Sequence, residues 1–139
     1  RNNCMVIEEL KYNAKIAVMR VLKDIVTADS VIHEKEVGYM NKVATDFNLT
    51  DDYKTEVNNL VTLQALAIIR ELDSSTKSEI AKLMGNMIII DDDINYNEVK
   101  LYNAVCESCN IEKDFHVDDY PEYSLSGPFM NPEDIMNNI

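Results

Sequence analysis

The chain has 139 residues, a length that suits one domain with a single hydrophobic core. Its 25 acidic residues against 13 basic ones give a net charge of −12, which repels phosphate backbones and anionic lipids. We therefore expect no nucleic-acid partner. No stretch approaches the roughly 20 apolar residues of a membrane span, so no membrane insertion is expected either. Three cysteines do not make a secreted disulfide framework, and a cytoplasmic protein is predicted.

Apolar residues recur at steps of three and four along most of the chain, which is typical of amphipathic helices. The first helix is predicted over residues 5–26. The second is predicted over 37–47 and ends at Asn48. Thr50 is a good N-cap for a third helix, with a break near Thr62.

The fourth helix is predicted to follow a connection at residues 72–75. Thr76 and Glu79 have the spacing of a capping box, with Thr76 as the N-cap. The apolar run 87–90 is interpreted as the end of this helix rather than a strand, because no second strand is available nearby to pair with it.

Asn95 and Glu98 form another capping box and open the fifth helix. Residues 1–111 are thus predicted to be a helical domain. Residues 112–139, rich in aromatic and acidic side chains, are predicted to be a tail that is docked on the domain or partly disordered, with a short terminal helix opening at Asn131. The expected fold class is all-α: a compact bundle of five to seven helices.

The chain contains an internal duplication. Shifting the sequence by 62 positions aligns residues 18–49 (the first repeat) with residues 80–111 (the second repeat) without a gap. Each repeat reads helix, then D-x-x-I-x-x-x-E, then helix. The identical pairs include Asp29 with Asp91, Ile32 with Ile94, Glu36 with Glu98 and Asn41 with Asn103.

This motif has a structural and a functional interpretation. In the structural one, the Ile enters the core, the Asp accepts hydrogen bonds from loop amides, and the Glu bonds back to the N-cap amide. In the functional one, the duplication brings Asp29, Glu36, Asp91 and Glu98 together as a carboxylate cluster that a hard cation, calcium or magnesium, neutralises.

The second loop is not an EF-hand, although its start resembles one. Tyr96 stands where the sharp turn requires Gly, and Tyr102 stands where a bidentate Glu is needed.

The repeated motif resembles that of the TerB-like family, which comprises the tellurite-resistance TerB proteins and the related domain at the start of some DnaJ-type membrane co-chaperones. The resemblance covers about residues 5–111 and rests on the family pattern A-D-G-x-I-x-x-x-E at 28–36 and 90–98. Ser30 and Asp92 replace the family glycines, and Ile90 replaces the small residue of the second copy.

This resemblance implies a compact all-α fold with internal duplication. It also implies a role in bacterial stress response through metal binding or contacts with other stress-response or membrane-associated proteins. Asp29, Glu36, Asp91 and Glu98 are the positions that carry over.

No catalytic apparatus is visible. Neither histidine stands in a recognisable relation to a nucleophile, and the lone C-x-x-C of Cys106 and Cys109 is interpreted as two buried small hydrophobes. We expect a non-enzymatic domain that binds a divalent cation. The alternative is a protein-protein interaction module whose acidic loops are purely structural and whose tail is the binding element or a latch. An enzyme using paired Asp and Glu ranks last, because no substrate-orienting Arg, Lys or His is recognisable near the loops.

Overall fold

The computed structural model describes residues 10–29, 31–50 and 52–127. Over these residues the chain is mostly α-helical, and the all-α prediction is confirmed. Numbered in chain order, the helices in these ranges are α1 (Tyr12–Val26), α2 (Glu34–Asp46), α3 (Tyr53–Asn59), α4 (Thr62–Arg70), α5 (Ser74–Ile89) and α6 (Tyr96–Cys109). None of these helices is both long and apolar enough to cross a membrane.

Helix α1 lies at the centre of the bundle because its apolar face is wide, with polar side chains such as Arg20, Lys23 and Asp24 on the remaining side. Ala17, Val18, Met19 and Leu22 are fully buried, and successive positions of a helix point in different directions. The helix accordingly contacts each of the other five described helices. The two repeats therefore share one core.

The predicted break near Thr62 is confirmed, because α3 ends before it and α4 begins at it. The predicted N-cap at Thr50 is wrong. The carbonyl of Thr50 accepts a hydrogen bond from the amide of Tyr53 at 3.1 Å, in a turn that precedes the helix, and Asp52 occupies the N-cap position.

Helix α5 begins three residues earlier than predicted. Asp73 is its N-cap: the Oδ1 atom accepts hydrogen bonds from the amide of Thr76 at 2.8 Å and from the hydroxyl of Ser75 at 3.1 Å. Thr76 is buried instead of capping. The far end of α5 reaches Ile89, which confirms that residues 87–90 are a helix end and not a strand.

The duplication is visible where α2 and α6 end. Asn48 and Asn110, 62 positions apart, both have φ of 58°, the left-handed conformation that stops a helix. The amide after each asparagine donates to a carbonyl in the last turn, Ala44 O at 3.0 Å and Cys106 O at 2.9 Å. The two repeats thus end their second helix by the same mechanism.

A small parallel strand pair, which the sequence did not reveal, joins the second repeat to the tail. Strand β1 (Asp93–Asn95) lies beside β2 (Ser124–Ser126), with Ile94 opposite Leu125. The Asp93 carboxylate accepts hydrogen bonds from both serine hydroxyls of β2, at 2.7 and 2.5 Å.

The start of the tail belongs to the core. Phe115 is buried and lies edge-on to Tyr102, with ring centroids 5.7 Å apart. The Tyr102 hydroxyl accepts hydrogen bonds from the amides of Asp114 at 3.0 Å and Phe115 at 3.1 Å. A Cβ added at Gly85 would lie 3.3 Å from Phe115, so this glycine lets the tail pass closely over α5. A 3₁₀ turn, Val117–Asp119, then leads to β2.

The predicted first helix is wrong at Leu10 and Lys11, which precede the start of α1 at Tyr12 and are not helical. Residues 5–9 of that prediction lie outside the described residues, as does the predicted terminal helix at Asn131. The domain boundary between residues 111 and 112 stays a prediction.

Candidate functional site

The aspartates of the two acidic loops make equivalent hydrogen bonds. We call residues 27–33 loop 1 and residues 90–95 loop 2. In loop 1, the Oδ1 atom of Asp29 accepts a hydrogen bond from the amide of Val31 at 3.0 Å. In loop 2, the Oδ1 atom of Asp91 accepts one from the amide of Asp93 at 3.3 Å. Each aspartate therefore stabilises its own turn with one oxygen.

The two glutamates of the motif lie in the first turns of α2 and α6 and are almost completely buried. Glu36 is 1% exposed and Glu98 is 2% exposed. Their side chains are hydrogen-bonded to each other. Because an ionised carboxylate can only accept, this bond requires a proton on one of the two groups. The second repeat thus places its glutamate directly against that of the first.

Burial keeps the pair protonated. It raises the pKa of Glu98 to about 10, with the hydrogen bond to Glu36 and the charge of Glu36 as further causes. Burial also raises the pKa of Glu36. Two hydrogen bonds oppose that rise: one from the His33 amide, which lies 3.0 Å from Oε1 of Glu36, and one from Glu98. Both pKa values are raised, so the folded protein holds a proton on the Glu36–Glu98 pair more strongly than these groups would hold one in water.

Both loop aspartates act on this pair electrostatically. The negative charges of Asp29 and Asp91 contribute to the raised pKa of Glu98, and Asp29 also contributes to that of Glu36. All four residues singled out from the sequence consequently lie in one region of the molecule. We call Asp29, Glu36, Asp91 and Glu98 the carboxylate cluster.

His33 connects the two loops, a role that sequence reasoning missed. Its Nε2 atom lies 3.6 Å from Oδ2 of Asp91, so the imidazole of loop 1 faces the carboxylate of loop 2. The sequence did indicate that His33 precedes α2 at the N-cap position, and this is confirmed. The side chain's direction depends on how the repeats pack, which no local pattern shows.

The donor chemistry of the carboxylate cluster suits a hard cation, since calcium and magnesium prefer oxygen ligands. Within residues 10–29, 31–50 and 52–127, however, no three His, Cys, Asp or Glu side chains are arranged to hold a metal ion. The raised pKa values of Glu36 and Glu98 favour a bound proton at this place instead. A cation would have to displace that proton, and the second carboxylate oxygens of Asp29 and Asp91 would have to turn towards it, that of Asp91 away from His33.

Asp92 occupies the position of the missing family glycine in loop 2 and has φ of 62°. This left-handed conformation strains residues that have a Cβ atom, and Asp tolerates it better than Ala. We expect Asp92→Gly to be more stable than Asp92→Ala by about 1 kcal/mol, measured by urea unfolding. Asp92→Asn should have nearly the stability of the wild type, and it controls for the loss of the carboxylate charge. Equal stability of the Gly and Ala variants would show that the backbone here is unstrained.

Cys106 and Cys109 are buried free cysteines, which confirms that they are small core residues. Burial raises the pKa of the Cys106 thiol to about 11 and also raises the pKa of Cys109. Neither sulfur is a thiolate at neutral pH, so neither is an activated nucleophile.

Comparisons with known proteins identify the fold. No family model matches the chain, and no curated protein matches it significantly. The chain is similar to the crystal structure of a protein of unknown function from Porphyromonas gingivalis W83, with a TM-score of 0.62 and 22% sequence identity. The similarity covers 93% of this chain and 89% of that one. The two proteins share an all-α fold, and the TerB-like resemblance stays a prediction.

Proposed function

We propose that this chain is a non-enzymatic binding domain that takes up a divalent cation, calcium or magnesium, at the carboxylate cluster. The observation that carries the proposal is the contact between two buried glutamates, Glu36 and Glu98, one from each repeat. Two carboxylates so placed repel each other when both are ionised, and either a proton or a cation relieves the repulsion. The cation would compete with the proton that the pair now holds.

The TerB-like resemblance supports a place for this binding in a bacterial stress response, with other stress-response or membrane-associated proteins as partners. The buried free thiols of Cys106 and Cys109 suit a reducing compartment such as the cytoplasm.

The proposal predicts that calcium, magnesium or manganese raises the melting temperature of metal-stripped protein. A ligand that binds only the folded state adds about 2.7 kcal/mol at a concentration one hundred times its Kd. Binding should also release about one proton per ion from the Glu36–Glu98 pair, because ionised carboxylates are the metal ligands. Calorimetry in two buffers of different ionisation enthalpy measures that release.

Two matched variants test the location of the ion. Glu98→Gln should lose both the thermal shift and the proton release, since the amide cannot ionise. Glu71→Gln removes an equal charge from an exposed position at the end of α4 and should keep both. No shift with any of the three ions, or a shift that Glu98→Gln retains, would contradict the proposal.

The second candidate function is a protein-protein interaction module with purely structural loops. It is favoured by the hydrogen bonds that Asp29, Asp91 and Glu36 already make to loop amides and by the proton that satisfies the glutamate pair. Under this interpretation, the double variant Asp29→Ala, Asp91→Ala changes the stability of the protein. The wild type itself shows no thermal shift with added ions, so the variant has no ion response to lose.

A further inference from the structure

The second repeat is covered by the chain's own tail. Strand β2 lies beside β1, and Ile94 of β1 is only 1% exposed. From Phe115 the tail continues as a series of packed aromatic rings. The ring centroids of Phe115 and Tyr120 are 5.5 Å apart, and those of Tyr120 and Tyr123 are 5.1 Å apart. The tail thus closes the apolar face that loop 2 and α6 present.

The same face of the first repeat is open. Ile32, the equivalent of Ile94, is 56% exposed, and Val37 at the start of α2 is 45% exposed. Among the described residues, no hydrogen bond involves the backbone of Ile32. The amides of Val31 and His33 bond to Asp29 and Glu36, so the unpaired backbone is that of Ile32, which is equivalent to the central residue of strand β1.

A groove of about 320 Å³ lies beside Ile32, between loop 1, α1, α2 and α3. Its apolar lining residues are Val26, Ile32, Val37, Met40, Tyr53 and Val57. Tyr53 stands 62 positions before Phe115, and both rings are buried. The first repeat thus has a buried ring at the position equivalent to Phe115, and this ring lines the groove.

Charge indicates what kind of segment fits. The two charged side chains among the lining residues are lysines, Lys23 and Lys54, although the whole chain has a net charge of −12. The tail that covers the second repeat is acidic: residues 112–126 contain five Asp and Glu against one Lys. Strand addition to a free edge, with pockets for side chains, is a common mode of peptide recognition.

We propose that this groove binds an extended, acidic, aromatic segment of a partner protein, which adds a strand alongside residues 31–33 as β2 does alongside β1. Leucine or tyrosine side chains of the partner fill the apolar floor, and its carboxylates face Lys23 and Lys54. This interaction does not depend on a cation, so its test is carried out in metal-free buffer.

The probe is a fluorescein-labelled peptide with the sequence of residues 117–127, titrated with the full chain and followed by anisotropy. We expect saturable binding that weakens about tenfold in Ile32→Ser, because each 1.4 kcal/mol of lost apolar contact is a factor of ten. Leu63→Ser, which changes an apolar side chain that is 79% exposed outside the groove, is the matched control and should bind normally. Amide exchange of Ile32 should slow in the complex.

Charge reversal tests orientation and specificity. Lys54→Glu should weaken binding of the acidic peptide and restore binding to a peptide whose Asp and Glu are replaced by Lys. Ile32 and Lys54 are exposed, so melting curves should show the variants folded. Absence of saturable binding, or binding that neither variant changes, would overturn the proposal. A dimer in sedimentation equilibrium that Ile32→Ser dissociates would overturn it in favour of a second copy of this chain.

Discussion

Replacing Glu98 by glutamine is expected to flatten the dependence of stability on pH. In the wild type, the folded-state pKa of Glu98, about 10, lies above the value of 4.5 expected in the unfolded chain. Its protonation therefore favours folding: the contribution is fully present below pH 4.5 and is lost as the pH rises towards 10. The free energy of unfolding should fall by up to about 1.4 kcal/mol per pH unit for the one proton concerned.

Urea unfolding at about pH 5, 7 and 9, with a chelator present, measures this slope. The amide introduced by Glu98→Gln resembles the protonated acid, so the variant should match the wild type below about pH 4.5, lose the slope, and be more stable than the wild type at neutral pH. Glu71→Gln should retain the slope. A wild type whose stability does not change between those pH values would show that the glutamate pair is ionised in the folded state.

The second large effect is expected at Phe115. Truncating this ring to Ala should lower the free energy of unfolding by about 3–5 kcal/mol, because it removes a buried aromatic side chain and leaves a cavity. The ring lies between Tyr102 and Tyr120 and over Gly85, so three groups lose their packing partner.

The measurement is urea unfolding at neutral pH together with limited proteolysis of the tail. Tyr123→Ala is the matched control. Because Tyr123 is only partly buried, this substitution should lower the free energy of unfolding by less than Phe115→Ala does. If Phe115→Ala cost under about 1 kcal/mol, the tail would be an appendage rather than part of the core.

The helices could be predicted from sequence because a buried face repeats every three or four residues. The predicted start of a helix was less accurate where two good N-cap residues lie close together. The Asp73 carboxylate accepts the hydrogen bond from the Thr76 amide, so α5 begins before the predicted N-cap at Thr76. The strand pair could not be predicted. Three residues carry no periodic signal, and β1 meets β2 from 31 positions away along the chain.

The carboxylate cluster was partly predictable for a different reason. The 62-residue repeat identified four equivalent acidic positions, and such positions can meet when repeats pack symmetrically. The proton shared by Glu36 and Glu98 depends on complete burial, which spacing alone does not reveal. The approach of His33 to Asp91 likewise depends on the packing of loop 1 against loop 2.

The contact between Glu36 and Glu98 also has a geometric meaning. A residue touches its own equivalent only on a two-fold axis, as in the isologous interface of a homodimer. The axis that relates the two repeats therefore passes between these carboxyl groups.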